Sequence, residues 1–171
     1  DSDDQLRLVK QAMTDVGIGL TTINPLTVRN EISRAKDELA TPYEYAERSE
    51  VYFQETSAQI YHRYLRLLAN ANVVDFGDMF AFCVRLFREI PEVRSYHLDR
   101  LRFILVDEYQ DTNRPQYLLI QYLAKSHRNL CVVGDPDQSI YKWRGADLRN
   151  IMDFENDFSD STMVRLERNF R

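Results

Sequence analysis

Through the first seventy or so residues the apolar positions recur at helical spacing. Leu6, Val9, Ala12, Met13 and Val16 share one face of a helix that Asp3 or Asp4 can cap and that Gly17 and Gly19 end. The stretch TINPLTVRNEISRAKDEL predicts a second helix, begun near Pro25 or Thr27, with Ile32, Ala35 and Leu39 along one side. Thr41-Pro42 breaks it. A longer helix is predicted from about Glu50 to Asn70, its stripe formed by Val51, Phe53, Ala58, Tyr61, Tyr64, Leu65 and Leu68. Tyr43, Tyr45, Tyr52, Tyr61 and Tyr64 crowd this half. They read as packing residues with solvated hydroxyls in preference to a base-stacking surface.

From Val73 the pattern changes. DFGDMFAFCVRLFREI predicts an amphipathic helix with an acidic cap, ended by Pro91. LRFILV and NLCVVG are short apolar runs, and RPQYLLIQYLAKS between them reads as a helix with proline in its first turn. Strand, helix and strand at this spacing make a βαβ unit, so a parallel sheet with right-handed crossovers is expected. ADLRNIMDFEND predicts a further helix and TMVRLERN a third strand. The expected class is α/β and helix-rich overall, a helical subdomain followed by a partial parallel sheet with flanking helices.

Composition narrows the function. At 171 residues, 44% hydrophobic and 29% charged, the chain suits one domain, or a domain with a sizeable subdomain. No apolar run reaches the length of a membrane span, no signal peptide is visible, and a cytoplasmic location is expected. Cys83 and Cys131 lack a CxxC or histidine partner and read as buried thiols in preference to a disulfide. With a net charge of −5 the chain has no global basic signature, so a nucleic-acid site has to be local. The opening DSDDQL and the closing LERNFR read as cuts within a longer protein.

The candidate chemistry lies at the strand exits, where open parallel sheets bind ligands. The first strand runs into VDEYQD, the second into VVGDPDQSIYKWRGAD. Asp107, directly after its strand, suits a magnesium ion that keeps water and phosphate oxygens as its other ligands. Glu108 can accept a proton from an attacking water. The alternative is a solvated acidic turn. Gly134 permits a tight turn, and Gln138 can hydrogen-bond a terminal phosphate or a water. Tyr141, Trp143 and Arg144 interleave rings with a cation, which suits single-stranded nucleic acid, although a lone tryptophan can equally anchor a core.

Together DEYQDTN, VVGDPDQSIYKWRGAD and LERNFR resemble, in order and spacing, motifs of the UvrD/Rep/PcrA type of superfamily 1 DNA helicases. DFGDM is similar to a further motif of that family that contacts single strands, and DSDDQ to the start of its helical insertion. The resemblance spans essentially the whole chain. It implies that residues 1–72 form the helical subdomain 1B and residues 73–171 the later part of the RecA-like ATPase domain 1A. It implies an ATP-dependent 3′–5′ helicase or translocase of DNA repair or replication, using ATP and Mg2+ and acting on single-stranded DNA and junctions.

By the same resemblance Asp107 binds the magnesium and Glu108 orients or deprotonates the hydrolytic water. Gln138 senses the γ-phosphate, Phe170 stacks on adenine where the family usually has tyrosine, and Arg171 contacts the γ-phosphate as a finger does. Tyr141 and Trp143 stack bases, Phe76 lines the same pocket, and Arg144 links that pocket to the nucleotide. Asp78 belongs to a pattern often written with two acids, the first of which is Gly77 here. The chain departs from the family in lacking the GxxxxGK[ST] loop and the adenine-reading glutamine motif. The isolated chain is therefore expected to be inactive and to need the remaining helicase domains of the same polypeptide. Without the phosphate-loop strand, the sheet is expected to expose edges that invite self-association. Two rival readings are a truncated non-catalytic DNA-binding or regulatory module, and a metal-dependent hydrolase using Asp107, Glu108, Asp111 and Asp135. His62, His97 and His127 do not cluster with those acids in the sequence and add little to the latter.

Overall fold

The computed structural model describes residues 2–138, 154 and 156–166. Helices α1 (Ser2–Asp15), α2 (Pro25–Asp37), α3 (Pro42–Glu47) and α4 (Tyr52–Asn70) enclose one apolar core. Val9, Ala12 and Met13 meet Val28, Ile32 and Ala35, with Tyr45, Ala58, Ile60, Tyr61, Tyr64, Leu67 and Leu68 around them. Helix α1 ends as expected. Gly17 adopts φ +78°, and the amides of Gly17 and Ile18 reach back to the carbonyls of Thr14 and Met13.

Several local expectations are corrected. Helix α2 starts at Pro25, one of the two starts expected, and not at Thr27; Asn24 caps it, accepting from the Leu26 amide at 2.9 Å. Leu39 is not on the α2 stripe: it lies beyond the helix with φ +57°. Thr41-Pro42 starts a helix as well as breaking one, because Thr41 and Glu44 form a reciprocal capping box for α3. Val51 is exposed and precedes α4. The hydroxyls of the buried tyrosines are not solvated. Tyr45 donates to Glu31 (2.7 Å), Tyr61 to the Ala40 carbonyl (3.3 Å) and Tyr64 to Asp75 (2.8 Å). Tyr43 and Tyr52 are exposed.

In the second half, α5 (Phe76–Glu89) follows an acidic cap as expected, and Pro91 opens α6 (Pro91–Arg100) instead of only closing α5. Strand β1 (Ile104–Val106), helix α7 (Arg114–Ala124) and strand β2 (Leu130–Val132) form the expected parallel βαβ unit, with Ile104 opposite Leu130 and Val106 opposite Val132. Helix α7 packs against α5 and α6. Leu105 (80% exposed) and the neighbouring Cys131 and Val133 project from an uncovered part of the sheet. Cys83 and Cys131 are thus exposed free thiols, not the buried ones expected. Residues 161–166 form no strand, since a strand needs a pairing neighbour and none of the described residues supplies one; Met163, Val164 and Leu166 are exposed. Most of the helix expected over residues 146–157 lies outside the described residues, but Phe154 is helical and packs edge-on to buried Tyr109 (5.6 Å). Among the described residues no helix is long and apolar enough to cross a membrane.

The helical half meets the sheet half through ionised groups. Lys36, its side chain 2% exposed, pairs with Asp75 Oδ2 (2.6 Å) and Asp78 Oδ1 (2.7 Å). Asp75 Oδ2 also accepts from Tyr64 (2.8 Å) and Gln5 (3.3 Å), while its Oδ1 caps α5 through the Asp78 amide (2.9 Å). Gly77 makes room for this: a Cβ there would meet Lys36 Cδ at 3.0 Å and Cβ at 3.3 Å. The space that a side chain at position 77 would need is taken by the stem of the buried Lys36. Burial raises the Asp75 pKa, but the charge and hydrogen bond of Lys36 outweigh it and hold the carboxyl below its ordinary value. Burial and the nearby Asp75 push Asp78 the other way, against the opposing pull of Lys36.

Beside this cluster, Asn113 Nδ2 donates to Asp37 Oδ1 at 2.9 Å, tying the end of α2 to the cap of α7. Burial pushes the Asp37 carboxyl up to about 6, partly offset by the Asn113 bond. A carboxyl with a raised folded pKa binds protons more tightly when folded, so stability falls as pH rises from its ordinary value through about 6. Asp37→Asn keeps the acceptor and removes that loss. The variant is expected to be more stable than wild type at pH 8 by about 1–2 kcal/mol, discounted for partial exposure, and equal to it near pH 4. Urea unfolding at the two pH values checks this.

Candidate functional site

The geometry of the acids begins with one backbone residue. The Val133 amide donates to the Val106 carbonyl (2.8 Å), and the Val133 carbonyl accepts from the Tyr109 amide (2.9 Å). Asp107 and Glu108 are the two residues between those anchors, so they are pushed out of the ladder as a short excursion. The excursion closes only because Glu108 takes left-handed backbone angles, φ +50° and ψ +43°. For a residue with a Cβ this costs about 1–2 kcal/mol. Both acids are exposed at the strand exit, and a 3-10 turn, Tyr109–Asp111, follows directly.

Beneath them lies Gln110, which is 1% exposed. Its Nε2 donates to Glu108 Oε2 at 2.6 Å, and its Oε1 accepts from the Asp135 amide at 3.0 Å. Val133 and Asp135 are two positions apart, the spacing of successive outward rungs in a parallel pair. The Gln110 side chain thus extends the β1–β2 ladder by one rung, where the backbone has already turned away. Asp135 in turn accepts from the Asp137 amide (3.0 Å) and from Gln138 Nε2 (2.7 Å), starting the second 3-10 turn, Pro136–Gln138.

The structure therefore brings three of the expected site residues, Asp107, Glu108 and Gln138, to neighbouring strand exits joined through Gln110 and Asp135. Phe76 takes no part in this network; it is the first residue of α5 and is 77% exposed. Tyr141, Trp143, Arg144, Phe170 and Arg171 lie outside the described residues. Asp78, from the same motif as Phe76, is buried against Lys36.

The donor set suits magnesium held jointly with phosphate and water, not a metal enclosed by protein. Asp107 is exposed, and among the described residues its Oδ1 accepts only from the Glu108 amide (2.9 Å), which leaves Oδ2 available. No group of three His, Cys, Asp or Glu side chains converges on a metal position among the described residues. Asp135 spends both carboxylate oxygens on its own turn, and Asp111 Oδ1 is buried without a hydrogen-bond partner among the described residues. The reading as a hydrolase built on Asp107, Glu108, Asp111 and Asp135 gains nothing from this arrangement.

Reasoning from the sequence missed Gln110 and Lys36. Gln110 stands inside a run that draws attention for its acids. Lys36 did carry a signal: it follows Ile32 by four residues on the buried face of α2, where an unpaired ammonium would be costly.

The sequence profile described as the UvrD/REP helicase N-terminal domain matches residues 1–159. The whole chain aligns with proteins named ATP-dependent DNA helicase PcrA, at 39% identity in Bacillus subtilis, 40% in Staphylococcus aureus and 39% in Leuconostoc citreum. In each case the alignment covers 100% of this chain and 23% of the relative. The chain thus spans roughly a quarter of the length of these relatives, and it belongs to the UvrD/REP helicase family.

Proposed function

We propose that this chain supplies the magnesium-binding and water-activating half of the ATP site of a DNA helicase, together with part of its single-strand track. The observation that carries the reading is the excursion of Asp107 and Glu108 between two hydrogen bonds to Val133, next to the turn that bears Gln138. Such an excursion presents two acids to solvent from a rigid strand exit, where a phosphate-bearing ligand can meet them.

Magnesium-bound ATP supplies the phosphoryl group and the Lewis acid for its transfer to water. Asp107 would hold that ion through the carboxylate oxygen that the Glu108 amide does not engage. Glu108 accepts the proton of the attacking water on its carboxylate, which Gln110 keeps oriented. Gln138 lies one hydrogen bond from Asp135 and can exchange that bond for one to a terminal phosphate or water. Arg171 and Phe170 would stabilise charge and stack on adenine, and Tyr141, Trp143 and exposed Phe76 would stack bases, with Arg144 linking the two sites. Residues 1–72 are assigned to the helical subdomain 1B and residues 73–171 to the later part of domain 1A. The lysine-bearing phosphate loop and the facing RecA-like domain would come from elsewhere in a longer cytoplasmic polypeptide that moves 3′ to 5′ in DNA repair or replication.

The test compares steady-state phosphate release by the 171-residue chain and by the longer polypeptide, with and without single-stranded DNA. DNA-stimulated hydrolysis is expected from the longer form and none from the chain alone. Robust turnover by the chain would contradict the split site. An inactive longer form that still binds DNA would favour the non-catalytic module.

A further inference from the structure

We propose that Gln110 is a positioning residue that fixes the Glu108 carboxylate and couples it mechanically to the Asp135–Gln138 turn. The inference rests on the reading of Glu108 as the water-activating group. Its own support is the use made of a fully buried amide. Both ends of the side chain are engaged, Nε2 on Glu108 Oε2 and Oε1 on the Asp135 amide, and neither partner is on α7 or in the helical core.

The two bonds do different jobs. The donor bond restrains a carboxylate whose backbone is already committed to a left-handed conformation, so the acid has one orientation instead of several. The acceptor bond ends on the backbone of β2's exit, in the residue whose carboxylate holds Gln138. A shift of that turn, as when Gln138 leaves Asp135 for a ligand, pulls on Gln110 and so on Glu108. Because Gln110 is buried with no slack of its own, it transmits the displacement instead of absorbing it. An exposed acidic turn needs no such rung; a site in which two strand exits must move together does.

Two substitutions separate the arms. Gln110→Glu keeps an acceptor for the Asp135 amide and loses the donor to Glu108. Gln110→Met fills similar space and loses both. In the longer polypeptide, each variant is expected to lower DNA-stimulated kcat by about tenfold or more, the loss of a charge-assisted hydrogen bond. KM for ATP and Kd for single-stranded DNA should stay within about threefold, since a positioning group acts on the chemical step. In the purified 171-residue chain, hydrogen exchange at the Asp135 amide should accelerate for Gln110→Met and remain slow for Gln110→Glu. There too, Glu108→Ala should shift the Gln110 side-chain amide resonances.

Wild-type kcat in Gln110→Glu overturns the proposal. So does a kcat that falls only in proportion to the folded fraction, which marks a purely structural glutamine. Unchanged Asp135 exchange in Gln110→Met, or unmoved Gln110 resonances in Glu108→Ala, refutes the linkage whatever the ATPase does. If the wild-type polypeptide hydrolyses no ATP, the functional reading fails; with it goes the positioning role, while the exchange data show the rung to be structural only.

Discussion

Glu108→Gln in the longer polypeptide is expected to lower DNA-stimulated ATP hydrolysis by about 10²–10⁴-fold, the usual worth of a positioned general base. The substitution is close to isosteric. Glutamine keeps an oxygen to accept the 2.6 Å bond from Gln110 and can occupy the same φ +50° backbone, so neither the excursion nor the rung needs to change. What it loses is a basic carboxylate at the strand exit. Binding should therefore survive. Fluorescent ATP-analogue titration and single-stranded DNA binding are expected to give affinities within a few-fold of wild type, with the loss confined to kcat. A variant that hydrolyses ATP at the wild-type rate would remove Glu108 from the chemistry and leave Asp107 as the only acid with a role.

The second large effect is on stability. Lys36→Met keeps most of the stem that packs against Gly77 but leaves Asp75 and Asp78 as a buried pair of like charges. Removing one partner of a buried ion cluster costs about 3–5 kcal/mol, because the remaining charge has lost both water and counter-ion. Urea unfolding at pH 7 should show this loss. The sign of its pH dependence follows from the pKa directions. In wild type, Asp75 is held below its ordinary value by Lys36, so its contribution is present above that value and lost as pH falls through the folded one. In the variant both carboxyls are raised by burial with no cation, so the deficit at pH 7 shrinks as pH falls toward about 4 and they protonate. A deficit that stays constant over that range would mean that packing, not charge, dominates.

The elements that the sequence revealed were those whose stabilisation is local and periodic. The α1 and α4 stripes, the acidic cap of α5 and the βαβ unit all follow from spacing and from residues within one turn of each other. Helices α3 and α6 escaped because proline was read as a stop, when at the first helical turn it is equally a start. At the site, the acids were legible as residue types beside an apolar run. The reason they face outward was not, because it depends on Val133, a backbone contact from another strand with no side-chain signature. Phe76 and Asp78 divide similarly. They share one five-residue motif, yet one is exposed and the other is bound to a lysine 42 positions earlier, a partner that no local pattern identifies.

Asn113 has a consequence for how the chain acquires its structure. It caps α7 through the Gln116 amide and, with its other side-chain atom, holds Asp37. The bond from Asn113 to Asp37 spans 76 residues, against 39 for Lys36 to Asp75, yet closing a loop twice as long costs only about 0.6 kcal/mol more in chain entropy. Distance along the chain is therefore a small handicap. The larger demand is that the C-terminal end of α2 and the first turn of α7 be formed at the same time. Because one side chain serves both the start of a helix and the contact with another, nucleation of α7 and its docking onto the helical half become a single cooperative event.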